Sequence, residues 1–279
     1  MKKITQKCIE DFRMHLMEEE KSEATLEKYL RDIYAFLAWL CSRDVNKQVV
    51  LEYKAYIIDN YKPASVNSIL SSLNSFFTHN EWYDCKVKTL KIQKQIFASK
   101  DKELTKAEYE KLLDTAKSKK NERLYLLMQT ICSTGIRVSE LRFITVSAVN
   151  TGIANINCKG KLRQVFLPKT LRKLLSQYIR EQKISSGSVF VSRTGKPLDR
   201  SNIWSDMKKL CEYAGISKDK VFPHNLRHLF ARTYYSLQKD IVRLSDILGH
   251  SSINTTRIYT METGDILTRH IEKLGLLRC

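Results

Sequence analysis

The sequence predicts a mostly helical fold with one small antiparallel β-sheet, divided between two domains. Its length of 279 residues exceeds what a single compact core usually holds. Only 9 Gly and 4 Pro occur, which favours long helices over many tight turns. Apolar residues recur at three- and four-residue steps in several long stretches, whereas apolar–polar alternation is clearest in a short stretch after residue 150.

The first domain, residues 1–90, is predicted to contain about four helices. The clearest runs from Ser22 to Leu40, where apolar residues share one face and charged residues fall between them. A second covers Val49 to Asn60 and ends before Pro63, which breaks the pattern. A third begins at Ser65 and ends at His79.

A basic linker, residues 91–103, is expected to lead into the second domain, residues 104–279. Thr105 and Glu108 have the spacing of a capping box, which predicts that a helix begins there. A further helix, buried in the core, is predicted from Arg123 to Cys132.

The sheet is predicted next. Ile153 to Cys158 and Arg163 to Leu167 alternate as strands do, and Lys159-Gly160-Lys161 has the composition of a hairpin turn between them. Ser188 to Ser192 is a third, short strand candidate. From Ser201 onward the pattern is helical, with breaks near three residues: Gly215, Pro223 and Gly249.

The net charge of +18 points to a polyanionic partner, either nucleic acid or an acidic membrane surface. The first 100 residues hold 16 basic and 13 acidic side chains, and the remainder holds 32 and 17, so the second domain carries the excess. The seven cysteines have no C-x-x-C spacing, which suits a reducing cytoplasm. No apolar stretch is long enough to span a bilayer.

Four short segments of the second domain contain residues that fit phosphodiester transfer. That reaction needs positive charge beside the non-bridging oxygens to neutralise them. Planar Arg side chains suit this because they bind two oxygens at once. It needs a nucleophile, and a phenol can serve and then persist as an ester. It also needs a proton acceptor and a proton donor. Five residues supply this set without a metal: Arg137, Lys159, His224, Arg227 and Tyr259.

No metal or other cofactor is expected. His224 and His228 are four residues apart, a spacing that can bind zinc, but the segment lacks the Glu of H-E-x-x-H and has no Cys cluster nearby. No acidic cluster suits two-metal catalysis, and no Gly-rich phosphate loop indicates nucleotide hydrolysis.

The four segments resemble the signature of the tyrosine recombinase (phage integrase) family, particularly its Xer-like and mobile-element members. They are T-G-I-R-V-S-E-L from residue 134, C-K-G-K from 158, H-N-L-R-H from 224, and L-G-H followed by Tyr259. They occur in family order, and the likeness covers most of residues 104–279. The first domain resembles, more loosely, the SAM-like core-binding domain of that family.

The resemblance implies a role for each residue. Arg137 and Arg227 would clamp the scissile phosphate, and Tyr259 would attack it to leave a 3′-phosphotyrosyl bond and a free 5′-hydroxyl. Lys159 would protonate the 5′ oxygen, although Cys158 replaces a frequent Gly, so Lys161 stays open as the alternative. The remaining four residues would assist the proton transfer at the nucleophile, bind a phosphate oxygen and support the two arginines: His224, His250, Glu140 and His228.

The implied partners are double-stranded DNA and three further copies of the chain, in a tetramer that exchanges strands through a Holliday junction. Residues 264–279 would be the segment exchanged between neighbours, and accessory DNA-bending or directionality factors stay open. No membrane partner is implied. Two rival functions are a type IB topoisomerase-like enzyme and a DNA-binding protein that has kept the fold without the chemistry. The full motif set argues against the second rival, and the apolar segment after Tyr259 argues against the first.

Overall fold

Four α-helices form the N-terminal part of the protein, as predicted. The computed structural model describes residues 2–92, 103–158, 161–259 and 273. Within the first of these ranges lie α1 (Gln6–Glu18), α2 (Glu23–Leu40), α3 (Lys47–Asn60) and α4 (Pro63–His79). Pro63 is the first residue of α4, where its missing N–H costs no hydrogen bond. A short 3₁₀-helix follows at Tyr83–Cys85.

These helices enclose their own apolar core. It is built around four buried aromatic residues contributed by three of the helices: Phe12, Phe36, Phe76 and Phe77. Phe12 meets Phe76 edge to face, with 5.3 Å between the ring centroids. The chain divides into two compact units, residues 1–94 and 95–279. The predicted linker falls mostly on residues 93–102, outside the described residues.

The second unit begins with two helices that form part of its core, α5 (Lys106–Ser118) and α6 (Glu122–Thr134). The predicted capping box is present, because Thr105 Oγ1 accepts from the Glu108 amide while the Glu108 side chain accepts from the Thr105 amide. α6 ends at Gly135, whose φ of +65° is the left-handed conformation of a helix C-cap. A 3₁₀-helix, Val138–Phe143, comes next.

A two-stranded antiparallel sheet follows α7 (Val146–Thr151). Its strands are β1 (Ile153–Cys158) and β2 (Lys161–Phe166), and Ile156 on β1 lies opposite Arg163 on β2. The turn at residues 159–160 lies outside the described residues. α8 (Lys169–Glu181) follows the sheet.

The predicted strand from Ser188 to Ser192 is wrong. Ser188 makes a single β-bridge with Thr145, and Val191 makes another with Pro197, so the two ends of the segment have different partners. A strand needs a neighbour that runs beside it over several residues, and this segment has none among the residues that the structure describes.

The remaining helices are α9 (Arg200–Ala214), α10 (Pro223–Gln238), α11 (Ile241–Leu248) and the short α12 (Ile253–Thr256), followed by a 3₁₀-turn at Arg257–Tyr259. The breaks fall at Gly215, Pro223 and Gly249, as predicted, with a further one at Lys239 in a left-handed conformation. A small apolar cluster joins α10, α11 and the last turn, and its buried members are Ala231, Leu244, Leu248 and Tyr259. No described helix is both long and apolar enough to cross a membrane.

Candidate active site

The predicted site residues lie at the ends of helices or on the inner face of one helix. Arg137 follows the Gly135 cap of α6, and Glu140 lies in the 3₁₀-helix after it. α10 carries His224, Arg227 and His228 within its first two turns, because residues three and four apart on a helix lie on one side of it. His250 follows the Gly249 cap of α11, and Tyr259 closes the last 3₁₀-turn.

Glu140 holds Arg137 through both of its carboxylate oxygens. Oε1 accepts from Nη1 of Arg137 at 3.0 Å, and Oε2 accepts from the Arg137 amide at 3.0 Å. Burial opposes the charge of Glu140, but the hydrogen bonds from Arg137 and Arg163 outweigh it and lower its pKa. The ionised Glu140 carboxylate therefore fixes Arg137, whose side chain is 38% exposed and reaches solvent.

Arg227 is buried, with 2% of its surface exposed, and both of its terminal nitrogens donate to main-chain carbonyl oxygens. Nη1 donates to the carbonyl oxygen of Gly135 at 2.5 Å, and Nη2 donates to that of Leu248 at 2.7 Å. Burial and the charge of Arg137 lower the pKa of Arg227 to about 10, so it remains a cation at neutral pH. Its guanidinium plane is thereby fixed between the ends of α6 and α11.

His250 is held between Arg227 and the following turn. Its Nε2 atom lies 3.0 Å from Nη2 of Arg227, and its Nδ1 atom lies 2.9 Å from Oγ1 of Thr256. Burial and the charge of Arg227 lower the pKa of His250 to about 4. The imidazole is therefore neutral at pH 7.

Three aromatic rings contact one another in a row, edge to face, from the exposed His224 to the nucleophile candidate Tyr259. The rings of His224 and His228 meet with centroids 4.4 Å apart, and His228 meets Tyr259 edge to face at 4.8 Å. His250 lies on Tyr259 as well, nearly parallel, at 6.2 Å. Burial and neighbouring positive charge lower the pKa of His224, and burial and His224 lower that of His228 to about 3.

Tyr259 is 4% exposed, on a short turn that brings it against α10. Burial raises the pKa of its phenol, while the charge and hydrogen bond of Arg227 and the charge of Arg137 oppose the rise. A phenol in this setting is protonated at neutral pH, lies beside neutral imidazoles that can accept a proton, and faces a cationic centre that favours phenolate.

Arg163 belongs to the same cluster, although no motif in the sequence pointed to it. Its Nη2 atom donates to Oε2 of Glu140 at 2.5 Å, and its Nη1 atom donates to the carbonyl oxygen of Ile247 at 2.6 Å. Thr256, which pairs with His250, was also not predicted. Arg163 is 23 residues from Glu140 and 84 from Ile247, so local patterns carry no signal for it, whereas Thr256 is six residues from His250 and lies in the same short segment.

The structure thus brings together seven of the eight predicted site residues: Arg137, Glu140, His224, Arg227, His228, His250 and Tyr259. Lys159 lies outside the described residues, as does the proposed exchange segment apart from Lys273. Among the residues that the structure describes, no group of three or more His, Cys, Asp or Glu side chains is arranged to hold a metal ion.

The sequence and fold both resemble known recombinases. Residues 102–264 match the phage integrase family, and residues 9–82 match the phage integrase N-terminal SAM-like domain. The chain is 31% identical to the tyrosine recombinase XerA of Thermococcus kodakarensis over 278 residues, covering 96% of this chain and 95% of that protein.

Two solved structures have the same fold. The crystal structure of XerA recombinase matches with a TM-score of 0.53 at 25% identity, covering 99% of this chain and 100% of that one. A lambda integrase tetramer bound to a Holliday junction matches with a TM-score of 0.73 at 20% identity, covering 91% of this chain and 76% of that one. At that identity the second match shows the fold alone.

Proposed function

Since this chain belongs to the phage integrase family, we propose that Tyr259 is the nucleophile of its recombinase reaction and that Arg137 and Arg227 bind the scissile phosphate. The protein is a site-specific tyrosine recombinase that cleaves and rejoins DNA strands, with exchange through a Holliday junction. In the proposed reaction the Tyr259 oxygen attacks phosphorus, the bond to the 5′ oxygen breaks, and a 3′-phosphotyrosyl ester forms. A 5′-hydroxyl from the other strand reverses the step.

The observation that carries this proposal is the buried pairing of Tyr259 with a fixed cationic centre. Developing negative charge on the phosphorane oxygens needs donors that are already in place, because donors that must reorganise lose much of their benefit. Arg227 is fixed by the Gly135 and Leu248 carbonyl oxygens, and Arg137 by Glu140. The contact of Arg227 with His250 is the one that a phosphate oxygen would replace.

The proton of Tyr259 would pass toward the adjacent histidines of α10. His228 touches the phenol ring, and His224 touches His228. Both are neutral at pH 7 because their pKa values are lowered, which leaves them able to accept a proton once a phosphate is bound. We assign His224, the more exposed of the two, the proton transfer, and His228 the support of the phenol.

The remaining roles are assigned from the family. Lys159 would protonate the leaving 5′ oxygen, with Lys161 as the alternative, and His250 would bind a non-bridging oxygen. The phosphotyrosyl ester keeps the free energy of the broken phosphodiester bond, so the reaction needs no ATP. We expect no metal in any of these steps, and the test below includes a chelator for that reason.

The proposed substrate is double-stranded DNA. Both domains, residues 1–90 and 104–279, would bind it, and the basic linker 91–103 joins them in the chain. The excess of positive charge in the second part of the chain supports salt-dependent contact with phosphates. The tetramer of lambda integrase on a Holliday junction supports assembly of four copies. Residues 264–279 would be passed to a neighbouring copy, as the family resemblance implies. Accessory bending or directionality factors stay open. A DNA substrate and the lack of C-x-x-C spacing among the seven cysteines favour the cytoplasm.

The proposal is tested by trapping the covalent intermediate. Duplexes from the DNA that flanks its own gene, nicked so that the short fragment carrying the released 5′-hydroxyl diffuses away, are incubated with protein, with and without a chelator. Denaturing electrophoresis then separates protein–DNA adducts. The wild type should give an adduct, Tyr259→Phe should give none, and Tyr235→Phe, at a neighbouring tyrosine packed on the same cluster, should resemble the wild type.

Three outcomes would contradict the proposal in different ways. An adduct that persists in Tyr259→Phe would show that another residue is the nucleophile. An adduct that the chelator abolishes would show a metal requirement. Specific binding of the DNA without any adduct would favour a binding protein that has kept the fold.

A further inference from the structure

Arg163, on β2, contacts the Glu140 carboxylate and also two residues at the end of α11, Ile247 and Gly249. We propose that it is a positioning residue, which fixes Arg137 and the Gly249–His250 turn relative to each other so that both can engage the same phosphate. This inference rests on the proposed function, because it assumes that Arg137 and His250 bind the scissile phosphate.

The first contact is with Glu140. Its carboxylate is 3% exposed and lies between two guanidinium groups, with Oε1 accepting from Arg137 and Oε2 accepting from Arg163. The Arg163 contact is the shorter of the two, at 2.5 Å against 3.0 Å. If Arg163 were lost, Glu140 would keep its two hydrogen bonds from Arg137 but would lose its link to β2, so nothing would tie the direction of the Arg137 side chain to β2.

The second and third contacts are with the end of α11. Nη1 of Arg163 donates to the carbonyl oxygen of Ile247. The Arg163 side chain also packs against Gly249, so closely that a β-carbon added to Gly249 would lie 2.5 Å from Cδ of Arg163. The Gly249 carbonyl oxygen in turn accepts from Nη2 of Arg137 at 3.1 Å. The contacts form a closed ring through four residues: Arg163, Glu140, Arg137 and Gly249.

Stability alone does not account for this arrangement. The Arg163 side chain is 13% exposed, and its buried Nε has no hydrogen-bond partner among the described residues. Burying a cation in this way costs much of what its ion pair returns, and an apolar side chain of similar size often stabilises a protein as well or better. What the apolar side chain cannot supply is a bridge of fixed geometry between Glu140 and the α11 carbonyl.

Arg172 offers a matched control elsewhere in the second unit. It lies on α8, donates to the carbonyl oxygens of Val149 and Asn150, and packs where a β-carbon on Gly152 would be. Like Arg163, it donates to main-chain carbonyl oxygens and packs closely against a glycine. The carbonyl oxygens that it binds belong to α7 and not to the candidate site.

The experiment compares Arg163→Met and Arg163→Lys with Arg172→Met. For each, the dissociation constant for a nicked substrate and the single-turnover rate of adduct formation are measured. Two substrates are used, one with the normal scissile phosphate and one with a methylphosphonate in its place. The neutral methylphosphonate carries no charge for Arg137 to offset, so a defect that acts through Arg137 should shrink on it.

We expect Arg163→Met to bind the normal substrate like Arg172→Met but to form the adduct about 10- to 100-fold more slowly, the range typical for lost supports of site residues. On the methylphosphonate the gap between the two variants should shrink severalfold. Arg163→Lys, which keeps the charge but cannot bridge two acceptors in a plane, should fall between wild type and Arg163→Met. If thermal melting shows that Arg163→Met is unfolded, the Lys variant carries the same comparison.

Adduct formation by Arg163→Met at the rate of Arg172→Met would overturn the inference. An equal loss of adduct formation rate on both substrates would also overturn it. That result would show that Arg163 supports the fold in general and does not act through Arg137. Failure of the proposed function is distinguishable, since the wild type itself would then form no adduct through Tyr259.

Discussion

Nη2 of Arg227 lies 3.0 Å from Nε2 of His250, and this contact fixes the tautomer of the histidine. A guanidinium has donors only, so Nε2 must accept and cannot carry a proton. The proton of the neutral ring is then on Nδ1, which donates to Oγ1 of Thr256 at 2.9 Å. In the absence of DNA, His250 is therefore oriented as an acceptor for Arg227.

The first prediction is that DNA changes the protonation of His250. A phosphate oxygen can accept from His250 only if Nε2 gains a proton, and the phosphate charge offsets the arginine charge that lowers the histidine pKa. Long-range ¹H–¹⁵N spectra of Tyr259→Phe at pH 6, assigned with His250→Gln, should show a bare Nε2 without DNA and a protonated Nε2 with it. An unchanged Nδ1–H tautomer in the complex would rule out a donor role for His250.

A second prediction concerns Gly249. It has a φ of +62°, and an added β-carbon would lie 2.5 Å from Cδ of Arg163. Gly195 has a φ of +77° with nothing within 4 Å of the same position, so Gly195→Ala measures the backbone cost alone, about 1 kcal/mol. Gly249→Ala should lose more unfolding free energy than this in urea titrations and should also slow adduct formation, because Arg163 must move.

Equal losses of unfolding free energy in the two alanine variants, with adduct formation unchanged in both, would contradict this reading. The close approach at Gly249 would then be relieved by a shift of the Arg163 stem that leaves its contact with Glu140 intact.

The third prediction is acid sensitivity of the DNA-free protein. The pKa values of His228 and His250 fall to about 3 and about 4, so between those values and the usual 6.5 the unfolded chain binds more protons than the folded one. Stability should therefore be unaffected by these groups above pH 6.5 and should decrease as the pH falls from 6.5 toward 4. The lowered pKa of Glu140 adds to the loss at the acidic end, below its usual value.

The melting temperature should fall accordingly between pH 6.5 and 4, and less steeply in His228→Phe, which removes one of the two groups. A melting temperature that is constant over this range would show that the histidines protonate in the folded state without penalty.

Much of the fold followed from local patterns. The four N-terminal helices and the capping box at Thr105 depend on residues within one or two turns of each other, so the sequence predicted them. The overall class, helical with a small antiparallel sheet, and the tyrosine recombinase function are confirmed by the structure and the family match. Ser188 to Ser192 was predicted as a strand and is not one, because it makes only isolated bridges at Ser188 and Val191 and pairs with no strand in the part of the chain that the structure describes.

The site could be predicted only where its residues occur in compact motifs. Arg137 with Glu140, and His224 with Arg227, are three residues apart, and their chemistry is visible in the sequence. Arg163 is different, because its partners Glu140 and Ile247 are 23 and 84 residues away. Such contacts follow from the packing of β2 against the end of α11, which no local pattern encodes. The catalytic roles themselves stay predictions.

The central claim is that the Tyr259 oxygen becomes bonded to the 3′ phosphate, and the trapped adduct tests it most directly. The wild-type adduct is digested with nuclease and protease, and the modified peptide is sequenced by mass spectrometry. The account predicts a 3′-linked nucleotide on Tyr259, in the peptide between Arg257 and Arg269. A nucleotide on any other side chain, or one linked through its 5′ phosphate, would contradict it.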